Sequence, residues 1–223
     1  MQREIVGRTK EQKTMRRLLD SKKSEFLVMY GRRRVGKTFL IREFYKEDTI
    51  FHCSGINTAN AEDQLEVFYD SLLAAGLVPM GKPTNWIQAF NGLKQVVNQN
   101  KSKKKKVIFL DEISWLETPR SNFIAALSHF WNVYCESRTD IILVGCGSVS
   151  TWLQDNIIEN TGELHNRSNA KILLQPFSLF EVEQYLKHNN VKLVRKDIAT
   201  LYMITGGIPY YICLLYTSPS PRD

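Results

Sequence analysis

The sequence predicts an α/β domain in which helices cover both faces of a parallel β-sheet, a three-layer αβα arrangement. Segments typical of strands and helices alternate over most of the chain. The segment Val107–Leu110 is continuously apolar, as is typical of a strand that is covered on both faces. A glycine-containing loop, Gly31–Thr38, joins an apolar run to an amphipathic one. These three observations together favour this fold class over an all-α or all-β fold.

The expected elements follow from hydrophobic periodicity. Strands are predicted at residues 26–30, 49–53, 107–110, 141–144 and 171–174. Helices are predicted at residues 9–20, 37–46, 61–75 and 84–98, the last with a buried stripe of Ile87, Phe90, Leu93 and Val97. Pro119 is expected to start a further helix.

From Phe177 onward the pattern is helical, without strands. We therefore expect a core domain over residues 1–175 and a small helical lid over residues 176–212. The lid is expected to be cut short at Ile212, where the composition changes abruptly.

The last eleven residues, Cys213–Asp223, end in an alternation of Ser and Pro. Their sequence is the codon-by-codon translation of the common transposase-type sequencing adapter. We therefore interpret residues 213–223 as a non-native tail and the chain as a fragment of a longer protein. A natural Ser/Pro tail is the alternative.

The bulk composition argues against a membrane-spanning or secreted protein. The chain has 223 residues and a net charge of +7, and no run approaches the ~20 apolar residues of a membrane span. Its charged N-terminus lacks the apolar segment of a signal peptide, so we expect a cytoplasmic protein with no membrane partner. Cys53, Cys135 and Cys146 lie far apart on apolar segments and are expected to be reduced and buried.

The run of lysines at residues 101–106 has two interpretations. Basic clusters can form nucleic-acid-binding patches. A lysine-rich loop directly before a buried strand is more often a solvated segment, and we favour that interpretation here.

The loop Gly31–Thr38 has the pattern G-x-x-x-x-G-K-T after an apolar strand, which indicates a phosphate-binding loop. Backbone N–H groups at a helix N-terminus can surround a polyphosphate, and glycines permit the tight turn. Lys37 is expected to contact the β- and γ-phosphates, and Thr38 to ligate Mg²⁺. The expected nucleotide-binding residues of this segment are Gly31, Arg32, Arg33, Arg34, Val35, Gly36, Lys37, Thr38 and Phe39.

Asp111 and Glu112 follow the apolar strand at residues 107–110. Ligands bind at the carboxyl ends of the strands in open parallel sheets, so this pair is expected beside the phosphate loop. Asp111 is predicted to hold Mg²⁺ through water. Glu112 is predicted to orient and deprotonate the attacking water, with Lys37 neutralising phosphate charge. An acidic pair that merely ends a strand is the alternative.

For each of two further polar residues the sequence leaves two alternative roles. Ser148 is a candidate for contact with the γ-phosphate, and it is equally suited to begin the following helix as its N-cap. Arg167 could stabilise the transferring phosphoryl group, or it could be an ordinary surface arginine.

Several motifs together resemble the archaeal/bacterial ATPase family on the STAND side of the AAA-type P-loop ATPases. They are Ile5–Arg8, Gly31–Thr38, Phe109–Glu112, Gly147-Ser148, Asn166-Arg167 and Thr205–Pro209, within residues 3–212. The resemblance implies ATP and Mg²⁺ as ligands. It also implies that Val6, Gly7 and Arg8 line the adenine pocket and that Pro209 belongs to a lid turn that approaches the nucleotide.

The sequence departs from this family at Cys146, which interrupts a stretch that usually runs directly from the strand to Gly-Ser. Family members often continue into a separate C-terminal domain, so a missing domain in cis is one expected partner. A protein or a nucleic acid is another candidate partner, which the sequence does not identify.

The leading functional hypothesis is an ATP-binding, Mg²⁺-dependent ATPase that acts as a molecular switch. A nucleotide-gated scaffold with little hydrolysis is one alternative. A small-molecule kinase is another alternative. Such kinases usually have a lid with several arginines, but residues 155–170 contain a single arginine, Arg167.

Overall fold

The computed structural model describes residues 4–79, 81–148 and 168–217. The described elements, in chain order, are α1 Thr9–Asp20, β1 Glu25–Gly31, α2 Lys37–Phe44, β2 Thr49–Ser54, α3 Ala61–Ala74, α4 Trp86–Gln99, β3 Lys106–Asp111, α5 Ile113–Leu116, α6 Phe123–Phe130, a π-helical turn Trp131–Cys135, β4 Ile141–Ser148, β5 Ala170–Leu174, α7 Leu179–His188, α8 Arg195–Thr205 and α9 Pro209–Thr217.

The sheet has five parallel strands in the order β2-β3-β4-β1-β5. Strand β4 lies between β1 and β3, and its last residue, Ser148, is in register with Gly31 at the end of β1. The end of β3 is therefore one strand removed from the start of the phosphate loop. The predicted parallel α/β fold is confirmed.

Two hydrophobic cores lie on opposite faces of this sheet. One is rich in aromatic side chains from α3, α4 and α6, including Phe68, Trp86 and Phe90. The other packs α1 and α2 against the sheet through residues such as Met15 and Leu40. Strands that contribute to both cores are apolar on both faces, which explains the continuous run at residues 107–110.

A third hydrophobic cluster joins the three helices after β5, here called the lid helices. Its buried members are Phe177, Val182, Leu186, Ile198 and Ile212. Helix α9 runs through the expected junction at Ile212 and ends at Thr217. The division into core, lid and tail remains a prediction.

The predicted helix at residues 84–98 exists, but the predicted set of buried residues on it is wrong at one position. Ile87 is 57% exposed, whereas Trp86 is 1% exposed and packs edge-on against Phe68 and Phe123. Trp86, Phe90, Leu93 and Val97 therefore form the buried face of α4. The larger indole side chain takes the buried place because it offers more apolar surface.

The prediction that Pro119 starts a helix is also wrong. A short helix, Ile113–Leu116, follows the acidic pair, and α6 begins only at Phe123. The Glu117 carboxylate accepts a hydrogen bond from the Ile124 N–H at 3.0 Å and so caps the first turn of α6. A side chain upstream of the helix thus supplies the start signal that Pro119 was expected to give.

A group of ion pairs lies at the amino-terminal end of β3 and β4. Lys106 Nζ is 2.6 Å from Asp140 Oδ2, and Arg138 Nε is 2.8 Å from Asp140 Oδ1. The hydrogen bonds from Arg138 and Lys106 hold the pKa of Asp140 well below its usual range. Lys106 is 5% exposed, so the last residue of the lysine run is a buried partner of a carboxylate.

Cys53, Cys135 and Cys146 are buried and free, as predicted. In the part of the chain that the structure describes, no helix is both long and apolar enough to cross a membrane.

Candidate nucleotide-binding site

The phosphate loop connects the end of β1 to the start of α2 through two glycines with different physical roles. A Cβ atom on Gly31 would lie 2.3 Å from the Leu174 carbonyl oxygen, so only glycine fits against β5 at this point. Gly36 has φ 94° and ψ 22°, a left-handed conformation that side chains disfavour, and it directly precedes α2. The loop geometry therefore needs the glycines of the sequence pattern.

Lys37 is 5% exposed, and its amine is held within the loop. Its Nζ donates hydrogen bonds of 3.1 Å to the carbonyl oxygens of both Gly31 and Arg32. These contacts fix the ammonium group at the mouth of the loop. A cation held there is suited to contact a bound phosphate group.

The acidic pair lies at the carboxyl end of β3. Asp111 is 6% exposed, and its Oδ1 accepts a hydrogen bond of 3.0 Å from the Glu112 N–H. Glu112 has φ 45° and ψ 50°, a left-handed conformation that is uncommon outside glycine. Strained backbone of this kind often occurs at functional sites, where it aims a side chain.

The carboxylate of Glu112 is partly buried, and its Oε2 has no hydrogen-bond partner among the described residues. Burial raises the pKa of Glu112, and the charge of Asp111 raises it further. The charge of Lys37, a hydrogen bond from the Ser148 N–H and the charge of Arg33 oppose this rise. A carboxylate with an unused oxygen and a raised pKa is suited to accept a proton.

Ser148 ends β4 and lines an open cleft of about 570 Å³ beside the phosphate loop. The residues that line this cleft are Arg32, Arg33, Trp115, Ser148, Leu173, Leu174 and Gln175. Cys146 lies within β4 and is buried, so it does not interrupt the strand, which continues to Ser148. The predicted contact of Ser148 with a γ-phosphate remains a prediction, and Arg167 lies outside the described residues.

The side chain of Arg8 is buried between the phosphate loop and the lid helices. Its Nη2 donates to the Val35 carbonyl at 3.1 Å and its Nη1 to the Gln175 carbonyl at 2.6 Å. Its guanidinium carbon lies 4.5 Å from the centroid of the Phe177 ring. Desolvation lowers the pKa of Arg8, an effect that the charge of Glu181 opposes. The predicted place of Arg8 in an adenine pocket remains a prediction.

The other residues of the predicted site surround this arrangement. Gly7 is left-handed, and a Cβ there would come within 3.0 Å of Glu181 Oε1. Val6 and Thr38 are partly buried, and Phe39 is 40% exposed on α2. Pro209 is partly buried at the start of α9. Their contacts with a nucleotide remain predictions.

The donor set fits a magnesium ion shared with phosphate oxygens. Among the described residues, no group of three His, Cys, Asp or Glu side chains could hold a metal. Mg²⁺ at nucleotide sites needs only one or two protein oxygens, the rest coming from phosphates and water. The carboxylate of Asp111 and the hydroxyl of Thr38 are hard oxygen donors of this kind.

Some residues of the site could not be found from the sequence. Trp115 lines the cleft, and the Gln175 carbonyl holds Arg8, yet neither belongs to a phosphate-binding pattern. The contact of Arg34 with a nucleotide remains a prediction, and its side chain contacts Tyr210 and Tyr211 on α9, which the sequence did not indicate. Such contacts join distant parts of the chain and leave no periodic signal.

Residues 5–215 match a family described as an ATPase domain predominantly from Archaea. The chain belongs to this family. The match covers the phosphate loop, the acidic pair and the lid helices, and it confirms the family that the motifs of the sequence indicated. Nucleotide binding is therefore an expected property of the domain.

An uncharacterised protein of Methanocaldococcus jannaschii is 25% identical to this ATPase domain over 212 residues. The alignment covers 93% of the chain but only 43% of that curated relative.

Solved structures support the same fold. The Walker-type ATPase PABY2304 of Pyrococcus abyssi aligns with a TM-score of 0.65 and 16% identity, over 96% of this chain and 69% of its own. A STAND protein of Pyrococcus horikoshii with a tetratricopeptide repeat sensor aligns with a TM-score of 0.56 and 15% identity, over 97% of this chain and 30% of its own. The Aeropyrum pernix ORC2 protein aligns with a TM-score of 0.58 and 18% identity, over 86% of this chain and 53% of its own.

Proposed function

We propose that this domain binds ATP with Mg²⁺ at the phosphate loop and hydrolyses the bond to the γ-phosphate. The observation that carries this proposal is the position of Glu112. Its carboxylate lies at the carboxyl edge of the sheet, has an unused oxygen, and is close enough to Lys37 for their charges to interact. A scaffold that only binds nucleotide does not require such a base.

The proposed mechanism assigns one task to each residue. The N–H groups of the loop and the start of α2 hold the phosphates, because a helix N-terminus favours anions. Lys37 neutralises part of the charge that develops on the transferred group. Glu112 accepts a proton from the attacking water as the new P–O bond forms. When bound by Thr38 and Asp111, Mg²⁺ would supply further charge neutralisation.

We further propose that hydrolysis changes the position of the lid helices and so acts as a switch. Arg8 supports this part of the proposal, because it connects the Val35 carbonyl of the loop with Phe177, which packs in the lid cluster. A domain that follows the lid in cis is the proposed recipient of the motion. A protein or a nucleic acid is the alternative partner.

Phosphate release from ATP and Mg²⁺, measured without any added acceptor, tests the proposed activity. Release without an acceptor supports an ATPase, and release only with an acceptor indicates a kinase. Tight binding with negligible release indicates a scaffold. Glu66→Gln is a suitable control for the substitution of Glu112, because Glu66 is an exposed carboxylate that pairs with Lys82 at 2.7 Å.

A further inference from the structure

Arg34, the third arginine of the phosphate loop, contacts the last lid helix, α9. Its Nη1 donates a hydrogen bond of 3.0 Å to the Tyr211 hydroxyl. Its guanidinium carbon lies 4.7 Å from the centroid of the Tyr210 ring and 5.5 Å from that of Tyr211. The two rings meet edge to face, with centroids 5.7 Å apart. The planar cation therefore lies against two aromatic rings, an arrangement that suits arginine better than lysine.

The backbone of Arg34 also takes part in the shape of the loop. Its φ of 69° is left-handed, and it is not a glycine. Alternation of right- and left-handed residues turns successive N–H groups toward one side and makes an anion-binding concavity. A side chain in this conformation is disfavoured unless its surroundings hold it. Tyr210 and Tyr211 surround the exposed Arg34 side chain here.

The next residue of the loop is connected to the lid side as well. The Val35 carbonyl accepts from Arg8 Nη2 at 3.1 Å, and the Arg8 N–H donates to Glu181 of α7 at 3.0 Å. Residues 34 and 35 are thus connected to two different lid helices. A change in the position of the lid would disturb the loop where it surrounds phosphate.

We infer that Arg34 is a positioning residue that couples nucleotide binding to the position of the lid through Tyr210 and Tyr211. Phosphates in the loop stabilise the left-handed turn that these contacts also stabilise, so nucleotide and lid each favour the other. The coupling is reciprocal, because it is an equilibrium free energy shared by two sites. This inference rests on the proposed function, since it requires nucleotide at the loop.

The test compares wild-type protein, Arg34→Ala and Tyr211→Phe with ADP and Mg²⁺ as the probe. We expect Arg34→Ala to weaken ADP binding about tenfold, a typical size for coupling between sites. Hydrogen exchange at the Tyr211 and Ile212 amides, which donate to the Ile208 carbonyl, reports on α9. We expect ADP to slow this exchange in the wild type and to leave it unchanged in Arg34→Ala at saturating ADP.

Tyr211→Phe removes only the hydroxyl of a side chain that is 38% exposed and keeps the ring, so it tests the contact even if Arg34→Ala does not fold. We expect an intermediate loss of affinity, and no additional loss when it is combined with Arg34→Ala. Arg16→Ala is the matched control, because Arg16 also stacks on an aromatic ring, Phe44 at 5.0 Å, without contacting the lid. It should behave as the wild type.

Two unfavourable outcomes are distinguishable. If the wild type and Tyr211→Phe bind ADP equally well and show the same slowing of exchange in α9, the inference is wrong while the proposed function stands. If the wild type binds neither ADP nor ATP, the proposed function fails and the inference fails with it.

Discussion

Replacement of Arg8 by alanine is expected to destabilise the folded domain. The Arg8 side chain is 5% exposed and donates to the carbonyls of Val35 and Gln175 while it stacks on Phe177. Alanine leaves both carbonyls without this donor and removes the stacking. The variant therefore disturbs the phosphate loop and the base of the lid at once.

The expected magnitude follows from these contacts. Two hydrogen bonds from a charged donor contribute at least about 1.5 kcal/mol each, and stacking of a cation on a ring adds about 0.5 kcal/mol or more. Part of this is offset, because burial disfavours the charged guanidinium and lowers its pKa. We therefore expect a loss of about 3 kcal/mol in the free energy of unfolding.

Urea unfolding followed by far-ultraviolet circular dichroism measures this loss. Arg16→Ala is the control, because Arg16 is exposed and stacks on Phe44, so its replacement should cost less than about 1 kcal/mol. If Arg8→Ala were as stable as Arg16→Ala, the contacts of Arg8 would not hold the loop and lid together.

Two further stability predictions follow from the structure. Gly207→Ala would place a Cβ atom 2.2 Å from the Phe177 carbonyl oxygen, whereas at Gly206, which is equally left-handed, a Cβ atom would meet nothing within 4 Å. Gly207→Ala should therefore lower the free energy of unfolding by at least about 2 kcal/mol more than Gly206→Ala does. Thermal denaturation of the two variants should show this difference, and equal melting temperatures would contradict it. Asp140→Asn should cost about 2 kcal/mol at pH 7, because it leaves a buried lysine without its counter-charge. The hydrogen bond from Arg138 lowers the pKa of Asp140, so the stability that the Asp140 carboxylate contributes is present above about pH 4 and is lost as the pH falls further. The difference in free energy of unfolding between wild type and Asp140→Asn should therefore shrink at acid pH. A difference that stays constant with pH would be evidence against this explanation.

Much of the fold could be predicted from local patterns. The continuous apolar run at residues 107–110 predicted a strand covered on both faces, and the helix at Thr9–Asp20 has the predicted bounds. Errors arose where long-range packing decided the outcome. Trp86 rather than Ile87 is buried because aromatic partners from α3 and α6 enclose it, and no spacing within α4 reveals those partners.

In the candidate site too, local motifs could be predicted from the sequence, whereas long-range contacts could not. The phosphate loop and the acidic pair are contiguous motifs, so their position at the carboxyl edge of the sheet followed from the sequence. The contacts of Arg34 with α9 join residues that are far apart in the chain, and the residue type of Glu112 does not indicate its left-handed backbone. The left-handed backbone orients the Glu112 side chain and the contacts of Arg34 connect the loop to the lid helices, and only the structure reveals them.

Glu112 is proposed to activate the water that attacks ATP bound at the phosphate loop. Parallel measurement of ATP binding and steady-state phosphate release by wild-type protein and Glu112→Gln tests it most directly. We predict that the variant binds ATP and Mg²⁺ with an affinity within about threefold of the wild type and that its turnover falls by about 10² or more. Unchanged turnover in Glu112→Gln, with nucleotide bound, would show that Glu112 is not the base.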